Sequence, residues 1–382
     1  MTNTDKTTTA NDSLQGWRRW GSTALIAAFS IGLLAIWLVP GNTAAAENRL
    51  PRAWPEFTTA SAADAATYRR ADAALRDRLG AQVPVSDALG ALSVHGLGRS
   101  PSAAVLVGSD RQPFFAEDLT RPCRENAESM AVVKAGLERD HAAMAAADKY
   151  VAFVVAPNKS AVRRAGVDGV STDLLRCSDF VRGELLAWAA EGDLPLITLW
   201  DEVAARDTES DPAYLWNDTH WSAAGSLALS NALMEQLVTD KQVAAGILDD
   251  LSTPVVSEPQ PYVGDLNLLM GVKDVDHKST ISFDRPDVVT TYEKTMGAEG
   301  TAQFHYTSTA TTSDLVPGKT LILGDSFLMR ETPSQLSNFF ADVTIANAKE
   351  FAQAGDYDRV IVERVERHSG TRDWPSLASV LN

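Results

Sequence analysis

From residue 102 onward, short apolar runs rich in β-branched residues alternate with helical segments. One of these segments places Met130, Val133 and Leu137 on a single face, at the spacing of an amphipathic helix. Near-continuous apolar strands that alternate with helices indicate a mostly parallel sheet with helices on both faces. The pattern therefore predicts an α/β fold. The predicted strands are Ala103–Val107, Tyr150–Val155, Leu194–Leu199, Thr320–Leu323, Val343–Ala346 and Arg359–Val362.

Two parts of the exported chain do not follow this alternation. Residues 41–100 are rich in Ala, Thr, Ser and Arg, and we interpret them as a stalk with one amphipathic helix around residues 62–80. Residues 240–318 contain scattered turn residues and a Thr-rich stretch. We interpret this second part as a long irregular insertion beside the sheet, so that one globular domain extends over residues 101–382.

The amino terminus carries a targeting signal. Polar residues 1–20 are followed by residues 21–40, an apolar run without a charged residue. About 20 apolar residues suffice to span a bilayer. Arg18 and Arg19 precede the run and predict a cytoplasmic tail, a single transmembrane anchor and an extracytoplasmic domain. A cleaved signal peptide is the alternative, because alanines at 44–46 form a small-residue cleavage site.

Composition excludes some partners and ligands. The formal net charge of −16 argues against nucleic acid, because phosphate binding needs clustered Lys and Arg. Cys123 and Cys177 are the only two cysteines, and their spacing fits no zinc or redox motif. In an exported domain they are expected to form a disulfide, with two buried free thiols as the alternative. No group of residues has the sequence spacing of metal ligands, so neither a metal nor another cofactor is expected.

The tripeptide Gly324-Asp325-Ser326 follows a predicted strand and precedes a helical stretch. In an open parallel sheet, ligands bind at the carboxyl ends of the strands, where Ser326 is expected to lie. Backbone N–H groups at such a turn can face a developing oxyanion. Ser326 is therefore a candidate nucleophile and a candidate oxyanion-hole residue. An ordinary turn at the end of a strand is the alternative.

A serine nucleophile needs a base, usually a histidine that is held by a carboxylate. Among the six histidines, His220 has Asp218 two residues before it in a predicted loop. Such a pair can curl so that the carboxylate reaches one ring nitrogen while the other nitrogen faces Ser326. Asp218, His220 and Ser326 are the predicted catalytic triad. A helix-capping aspartate beside an interfacial histidine is the alternative.

The motifs together resemble the SGNH-hydrolase-like domains of the alginate O-acetyltransferase group. The resemblance extends over roughly residues 100–370, with the acid and base first and the nucleophile last. In ordinary SGNH esterases the serine comes first, so the motif order here is permuted. The matching segments are Val105–Gly108 with Phe114-Phe115, Val154–Lys159, Asp218–Trp221, Gly264–Leu266, Gly324–Phe327 and Val360–Arg364.

The resemblance implies an SGNH-like, flavodoxin-like fold and acetyl transfer to hydroxyls of an exported or cell-wall glycan. It makes Ser326 the nucleophile, His220 the general base and Asp218 the orienting acid, while Asp325 is expected to brace the turn. Ordinary SGNH enzymes complete the oxyanion hole with a glycine and an asparagine. Here Asn347 or an arginine stands in the corresponding stretches.

Three functions remain open at this level. Transfer to a glycan acceptor needs an acetyl source outside the cytoplasm, and the resemblance implies a multi-spanning membrane acyltransferase as partner. A carbohydrate acetylesterase uses the same triad with water as acceptor. A glycan-binding subunit without catalytic activity is the third function, and the complete Asp-His-Ser set argues against it.

Overall fold

The computed structural model describes residues 52–59, 64–77, 82–167, 169–296, 301–349, 355–372 and 374–377, together with single residues at 27, 30, 31, 61 and 351. The predicted tail at residues 1–20 lies outside the described residues, as does nearly all of the predicted anchor at residues 21–40. Among the residues that are described, none of the helices has the length and apolar character needed to cross a membrane. The chain divides into two compact units, residues 1–97 and residues 98–382.

The described part of the first unit includes two helices of ten or more residues, after an irregular segment at residues 52–59. Helix α1 (Ala65–Arg76) begins after Asp64, whose side chain accepts a hydrogen bond from the N–H of Ala66 at 2.9 Å. This is the helix that the sequence predicts around residues 62–80. Helix α2 (Gln82–Ala91) continues into a π-helical turn over Leu92–Gly96. The function of this unit as a stalk stays a prediction.

The second unit contains all thirteen described strands. In chain order they are β1 (Val105–Val107), β2 (Pro113–Phe115), β3 (Tyr150–Ala156), β4 (Leu196–Thr198), β5 (Pro254–Val256), β6 (Gln260–Tyr262), β7 (Asp276–Lys278), β8 (Ile281–Phe283), β9 (Val288–Met296), β10 (Ala302–Ala310), β11 (Val316–Gly324), β12 (Phe340–Asn347) and β13 (Arg359–Val365).

The described helices of this unit vary from one turn to about six. They are α3 (Glu117–Thr120), α4 (Ala127–Ala146), α5 (Lys159–Val162), α6 (Thr172–Glu191), α7 (Trp200–Arg206), α8 (Ala223–Thr239), α9 (Ile247–Asp250), α10 (Asp265–Met270), α11 (Ser326–Arg330), α12 (Thr332–Leu336) and α13 (Glu366–Ser369). Short 3₁₀ turns cover Ser109–Arg111, Pro122–Arg124 and Arg164–Val167.

A seven-stranded sheet in the order β4-β3-β13-β11-β12-β10-β9 forms the centre of the unit. The first five strands of this order are parallel, and β10 and β9 continue it antiparallel. The largely parallel α/β fold predicted from the sequence is confirmed. The predicted strand Ala103–Val107 differs, because β1 pairs with β2 in a separate antiparallel hairpin instead of joining the sheet.

Side chains of the parallel strands point alternately to two hydrophobic layers. Along β3, Ala152 and Val154 belong to the layer that includes helix α8. Phe153 and Val155 belong to the layer formed with α4 and α6. Because both layers are built from fully buried side chains, the strands read as continuous apolar runs in the sequence, as expected for a sheet covered on both faces.

The insertion at residues 240–318 is partly integrated into the sheet. Strands β5 with β8, and β6 with β7, form two small antiparallel pairs beside it. Strands β9 and β10, in contrast, extend the main sheet, with Phe304 opposite Ile345 of β12. The far boundary also differs, because β11 already begins at Val316 and its register shifts between Val316 and Lys319.

The two cysteines lie on adjacent elements of the second unit. Cys123 belongs to the turn Pro122–Arg124 and Cys177 to helix α6. The structure joins them in a disulfide, with the two Cα atoms 4.8 Å apart. The bridge ties the segment after α3 to the second turn of the long helix α6.

Candidate active site

Strand β11 delivers Ser326 to the carboxyl edge of the sheet. Gly324 ends the strand, Asp325 caps helix α11, and Ser326 is the first residue of that helix. A Cβ atom at position 324 would lie 2.5 Å from Glu363 Oε2 and 2.6 Å from Leu328 Cβ. Only glycine therefore fits at this point of the turn.

Asp325 braces the turn, as the sequence predicts. Its Oδ1 accepts a hydrogen bond from the N–H of Phe327, and its Oδ2 accepts one from the N–H of Val365, both at 2.9 Å. The Asp325 N–H donates to the buried Glu363 carboxyl at 3.1 Å. Burial, together with the nearby Asp325 charge, raises the pKa of Glu363 well above its usual value. The turn that carries Ser326 is thus fixed to β13.

His220 lies in the loop between α7 and α8, which a bridge between Tyr214 and Trp221 closes at its base. The indole N–H of Trp221 donates to the Phe327 carbonyl at 3.0 Å, which links this loop to helix α11. The His220 ring packs against the Phe327 ring, with centroids 5.0 Å apart. These contacts hold the imidazole beside Ser326.

The three predicted triad residues form one continuous hydrogen-bonded chain. His220 Nε2 lies 2.8 Å from Ser326 Oγ, and His220 Nδ1 lies 2.7 Å from Asp218 Oδ1. The same Asp218 oxygen accepts the backbone N–H of His220 at 2.8 Å, so the acid and base curl together as expected. Asp218 is fully buried and His220 is 6% exposed. With a neutral ring, Nδ1–H donates to Asp218 and Nε2 accepts from the serine hydroxyl.

A second carboxylate approaches the same ring nitrogen. Asp265, at the start of α10, places Oδ2 3.3 Å from His220 Nδ1. Thr219 holds this carboxylate, with its N–H donating to Oδ1 at 2.8 Å and its hydroxyl donating to Oδ2 at 2.5 Å. The Asp265 N–H also donates to Asp218 Oδ2 at 3.3 Å. Two carboxylates therefore flank His220.

Arg330 supplies the opposite charge. Its Nη1 lies 3.0 Å from Asp218 Oδ2 and also donates to the Tyr262 hydroxyl. The residue is the last of helix α11, four positions after Ser326. Its side chain is 32% exposed, whereas the carboxylate that it binds is fully buried. The guanidinium therefore lies at the mouth of the site.

The charges around His220 shift two pKa values. Burial of the ring lowers the pKa of His220, but hydrogen bonds to Asp218 and Asp265 outweigh burial, so the pKa lies above its usual value. Burial also raises the pKa of Asp265, but the bond and charge of His220, with the bonds from Thr219, hold it far below the usual range. Asp265 therefore stays ionised, and its hydrogen bond to the ring, like that of Asp218, favours the imidazolium.

Lys159 supports the loop that contains Asp218 and His220. It follows β3 at the start of α5 and is completely buried. Its Nζ donates to the carbonyl oxygens of Pro113 at 3.1 Å, Asp218 at 3.2 Å and Trp216. Burial, together with the charge of Arg163, lowers the pKa of Lys159 to about 7. One ammonium group thus connects the β1–β2 hairpin to the loop that carries the acid and base.

The oxyanion-hole candidates lie at neighbouring strand ends. In the part of the chain that is described, the Ser326 N–H has no protein acceptor. Asn347 ends β12 opposite Gly324, and its side-chain oxygen accepts the N–H of Lys349 at 2.9 Å. Both residues are at the predicted edge of the sheet. The assignment of Asn347 as a donor stays a prediction.

Asp218, His220 and Asp265 are also the one group of potential metal ligands among the described residues, with ligand atoms within 4.8 Å of one another. The sequence does not predict this group, because Asp265 is distant along the chain. The ligand atoms already bind one another, and Arg330 lies against Asp218 Oδ2. This arrangement fits a hydrogen-bonded base better than a cation site.

Sequence reasoning predicts the three residues that form this hydrogen-bonded chain but assigns no role to Asp265, Arg330 or Lys159. Signals for them exist in the motifs that carry the resemblance, since Asp265 belongs to Gly264–Leu266 and Lys159 ends Val154–Lys159. The signal for Arg330 is its spacing, because residues four apart in a helix lie on the same face. Arg330 therefore shares the Ser326 face of α11.

Comparisons with known proteins agree with this fold. The family described as SGNH hydrolase-like domain, acetyltransferase AlgX, matches residues 105–345. The structure of Bacillus cereus PatB1 is similar at 12% identity, with a TM-score of 0.51 over 69% of this chain and 96% of that chain.

Two further structures align less closely. The O-acetyltransferase domain of Pseudomonas putida AlgJ aligns at 13% identity over 70% of this chain and 93% of that chain, with a TM-score of 0.47. Pseudomonas aeruginosa AlgX aligns at 12% identity over 73% and 66%, with a TM-score of 0.45. No curated protein matches significantly by sequence. The family match extends over more than half of the residues of this chain, so the chain belongs to the SGNH hydrolase-like family of the acetyltransferase AlgX.

Proposed function

We propose that this chain is an O-acetyltransferase that moves an acetyl group, by way of an acyl-serine, onto hydroxyls of an exported or cell-wall glycan. The observation that carries the proposal is the unbroken chain of hydrogen bonds from Ser326 through His220 to Asp218. It lies in a domain of an acetyltransferase family. No other group of described residues combines a hydroxyl, an imidazole and a buried carboxylate in this way.

The first half-reaction acylates Ser326. Its Oγ attacks the carbonyl carbon of the acetyl donor while His220 Nε2 takes the hydroxyl proton. Asp218 and Asp265 stabilise the imidazolium that forms, and the unpaired Ser326 N–H is available to the oxyanion. When the tetrahedral intermediate collapses, the bond to the leaving group breaks and His220 returns its proton to that group.

The second half-reaction transfers the acetyl group. A sugar hydroxyl attacks the acyl-serine carbonyl, His220 takes its proton, and collapse returns the proton to Ser326 Oγ. Water in place of the sugar makes the same site an acetylesterase, so the acceptor decides between the two functions. The glycan-binding alternative needs no acyl-serine at all.

We also propose that the domain lies outside the cytoplasm, on a single-pass membrane anchor, beside a multi-spanning acyltransferase that supplies acetyl groups. The apolar run at residues 21–40 supports the anchor, and the disulfide supports export. Confinement near the bilayer raises the effective concentration of a donor that emerges there. The genomic neighbour of this chain is a direct test of the partner.

The full chain in detergent, supplied with a chromogenic acetyl ester and glycan oligosaccharides of increasing length, tests the activity. We expect an acetylated Ser326 by intact mass, acetylated oligosaccharide, and faster turnover of the acyl-serine when acceptor is present. Ser326→Ala removes the acyl-enzyme, whereas Asp218→Asn keeps a small fraction of the activity. Ser334→Ala, on helix α12, is the matched control and retains full activity.

Two outcomes replace the proposal. Fast acetate release that no acceptor changes would favour the esterase. If Ser326 never becomes acylated although the protein is folded and binds glycan, the chain is a binding subunit.

A further inference from the structure

The base of this site is held by more charge than a Ser-His-Asp triad requires. One carboxylate on the distal ring nitrogen suffices to fix the tautomer and stabilise the imidazolium. Here His220 Nδ1 lies 2.7 Å from Asp218 Oδ1 and 3.3 Å from Asp265 Oδ2. The two acids come from different elements, the loop before α8 and the start of α10. Each carboxylate favours the protonated ring, which cannot accept the Ser326 proton.

Arg330 opposes this bias. Its guanidinium binds the Asp218 oxygen that faces away from the imidazole, at 3.0 Å. Because Asp218 is fully buried, this charge pair lies in a medium that screens it less than water does. The positive charge of Arg330 therefore offsets the negative charge of one of the two carboxylates beside His220.

We propose that Arg330 and Asp265 are opposing positioning residues that set the pH range in which His220 acts as a base. Arg330 favours the neutral imidazole, which accepts the proton of Ser326. Asp265 favours the imidazolium, which protonates the leaving group. The proposal rests on the acyl-serine function proposed above, and it adds two residues that act on the reaction only through His220.

The remaining charged and titratable groups around His220 do not duplicate this pair. Lys159 lies beneath the loop and uses its Nζ on backbone carbonyls, among them that of Asp218. The Arg367 guanidinium lies over the Phe327 ring, 5.3 Å from its centroid. Tyr262 contacts the site through Arg330. Among these groups, Arg330 and Asp265 are the two whose charged side chains contact the side chains of Asp218 and His220.

The direction of the pKa shift agrees with this geometry. Burial is the largest influence and lowers the pKa of His220, the bonds to Asp218 and Asp265 raise it, and the Arg330 charge lowers it. Loss of Arg330 therefore raises the pH at which the base becomes available. Loss of the Asp265 charge lowers that pH.

The test is a set of pH profiles of kcat/KM for acylation of the full chain by a chromogenic acetyl ester. Arg330→Gln is expected to move the acidic limb up by about one pH unit, and Asp265→Asn to move it down by about one. Arg330→Lys keeps the charge and is expected to restore most of the native profile. The double variant, Arg330→Gln with Asp265→Asn, is expected to lie near the native limb although each single change displaces it.

Lys278→Gln is the matched control. Lys278 lies 4.9 Å from the centroid of the Tyr262 ring and pairs with Glu331, so its loss removes a nearby positive charge that does not contact Asp218. The acidic limb of this variant is expected to stay in place.

A titration of the His220 ring by NMR, assigned with His220→Gln, separates this proposal from the proposed function. If the midpoints of the His220 titration move in opposite directions in Arg330→Gln and Asp265→Asn, they support the charge balance. This holds even if Ser326 is never acylated in the variants or in the native chain. Variants that lose rate equally at every pH, with unmoved limbs and unmoved ring titration, would show that both residues serve only the structure and would overturn the proposal.

Discussion

Replacement of Lys159 by methionine removes the ammonium group that ties the catalytic loop to the β1–β2 hairpin. The ammonium group donates to three carbonyl oxygens, two of which belong to residues 216 and 218 in the loop. Methionine fills similar space without a donor. The loop would then keep its hydrophobic anchors, such as Trp221, but would lose the contacts that fix the backbone of Asp218.

The expected effect on stability is small because two contributions oppose each other. Each buried acceptor that loses its donor costs about 1–3 kcal/mol. Removal of a buried charge recovers a desolvation penalty of several kcal/mol. We therefore expect a net loss of about 2 kcal/mol or less in the free energy of unfolding.

The expected effect on activity is larger. A displacement of about 1 Å between reacting groups costs about 100-fold in rate. Asp218 is held from the backbone side by Lys159 and from the carboxylate side by His220 and Arg330. Loss of the Lys159 contact is expected to lower kcat/KM for acylation of Ser326 by about 100-fold, which corresponds to a rise of about 2.7 kcal/mol in the activation free energy.

Acylation rates by rapid mixing and thermal unfolding of the same samples measure the two effects. Lys149→Met is the control, because Lys149 precedes β3 as Lys159 follows it, and it binds Asp356 Oδ1 at 2.9 Å and the Tyr357 carbonyl at 2.8 Å. This variant is expected to lose some stability and no activity. If Lys159→Met acylates at the native rate, or if both variants lose activity in proportion to stability, the loop does not depend on this ammonium.

Three further predictions follow from single contacts. Gly324→Ala drives a Cβ against the buried Glu363 carboxyl and should cost about 1–3 kcal/mol in unfolding experiments while displacing the nucleophile, so that acylation falls more than stability does. Cys123→Ser with Cys177→Ser should lower the free energy of unfolding by about 2–4 kcal/mol and leave kcat/KM unchanged, since neither of the two bridged elements carries a triad residue. In the native chain, kcat/KM should fall on acidification with a midpoint above pH 6.5, because the pKa of His220 is raised and the neutral base becomes scarce at a pH below that pKa. A midpoint at or below pH 6.5 contradicts the charge arrangement.

The sequence predicts those elements whose signal is local. Helix α4 buries Met130, Val133 and Leu137, the residues that share its apolar face in the sequence. The strands β3, β11, β12 and β13 contain the predicted apolar runs, because side chains on both of their faces are buried and few polar positions interrupt the pattern. Elements that combine periodicity with full burial are therefore accessible from the sequence alone.

The elements that sequence reasoning did not predict depend on distant partners. Strands β9 and β10 carry exposed Thr, Lys and Glu side chains, so their sequence is typical of an irregular segment. Their pairing is fixed by contact with β12, more than thirty residues further along the chain. His305 shows the same limit, because the acid 3.0 Å from its Nε2 is Asp342, on the neighbouring strand.

The sequence predicts the triad of the candidate site but not the arrangement of charges around it. Asp218 is two residues from His220, so the local motif already indicates that acid. Asp265 reaches the same imidazole from α10 and Arg330 reaches Asp218 from α11, and both contacts follow only from the folded loop and helix. Local spacing determines the first carboxylate, whereas tertiary packing determines the second carboxylate and its counter-charge.

The topology also explains why the permuted order of the motifs leaves the site intact. In a parallel sheet the carboxyl ends of all strands meet at one edge, so a catalytic group can come from any strand regardless of its place in the chain. Here β11 supplies Ser326 and β3 supplies Lys159, while β13 supplies the Val365 N–H and the Glu363 carboxyl that hold Asp325. Chain order matters only for the loops that connect these ends. The acid and the base lie within three residues of each other, so a single loop carries both. Their relative geometry is therefore kept wherever that loop is inserted in the chain.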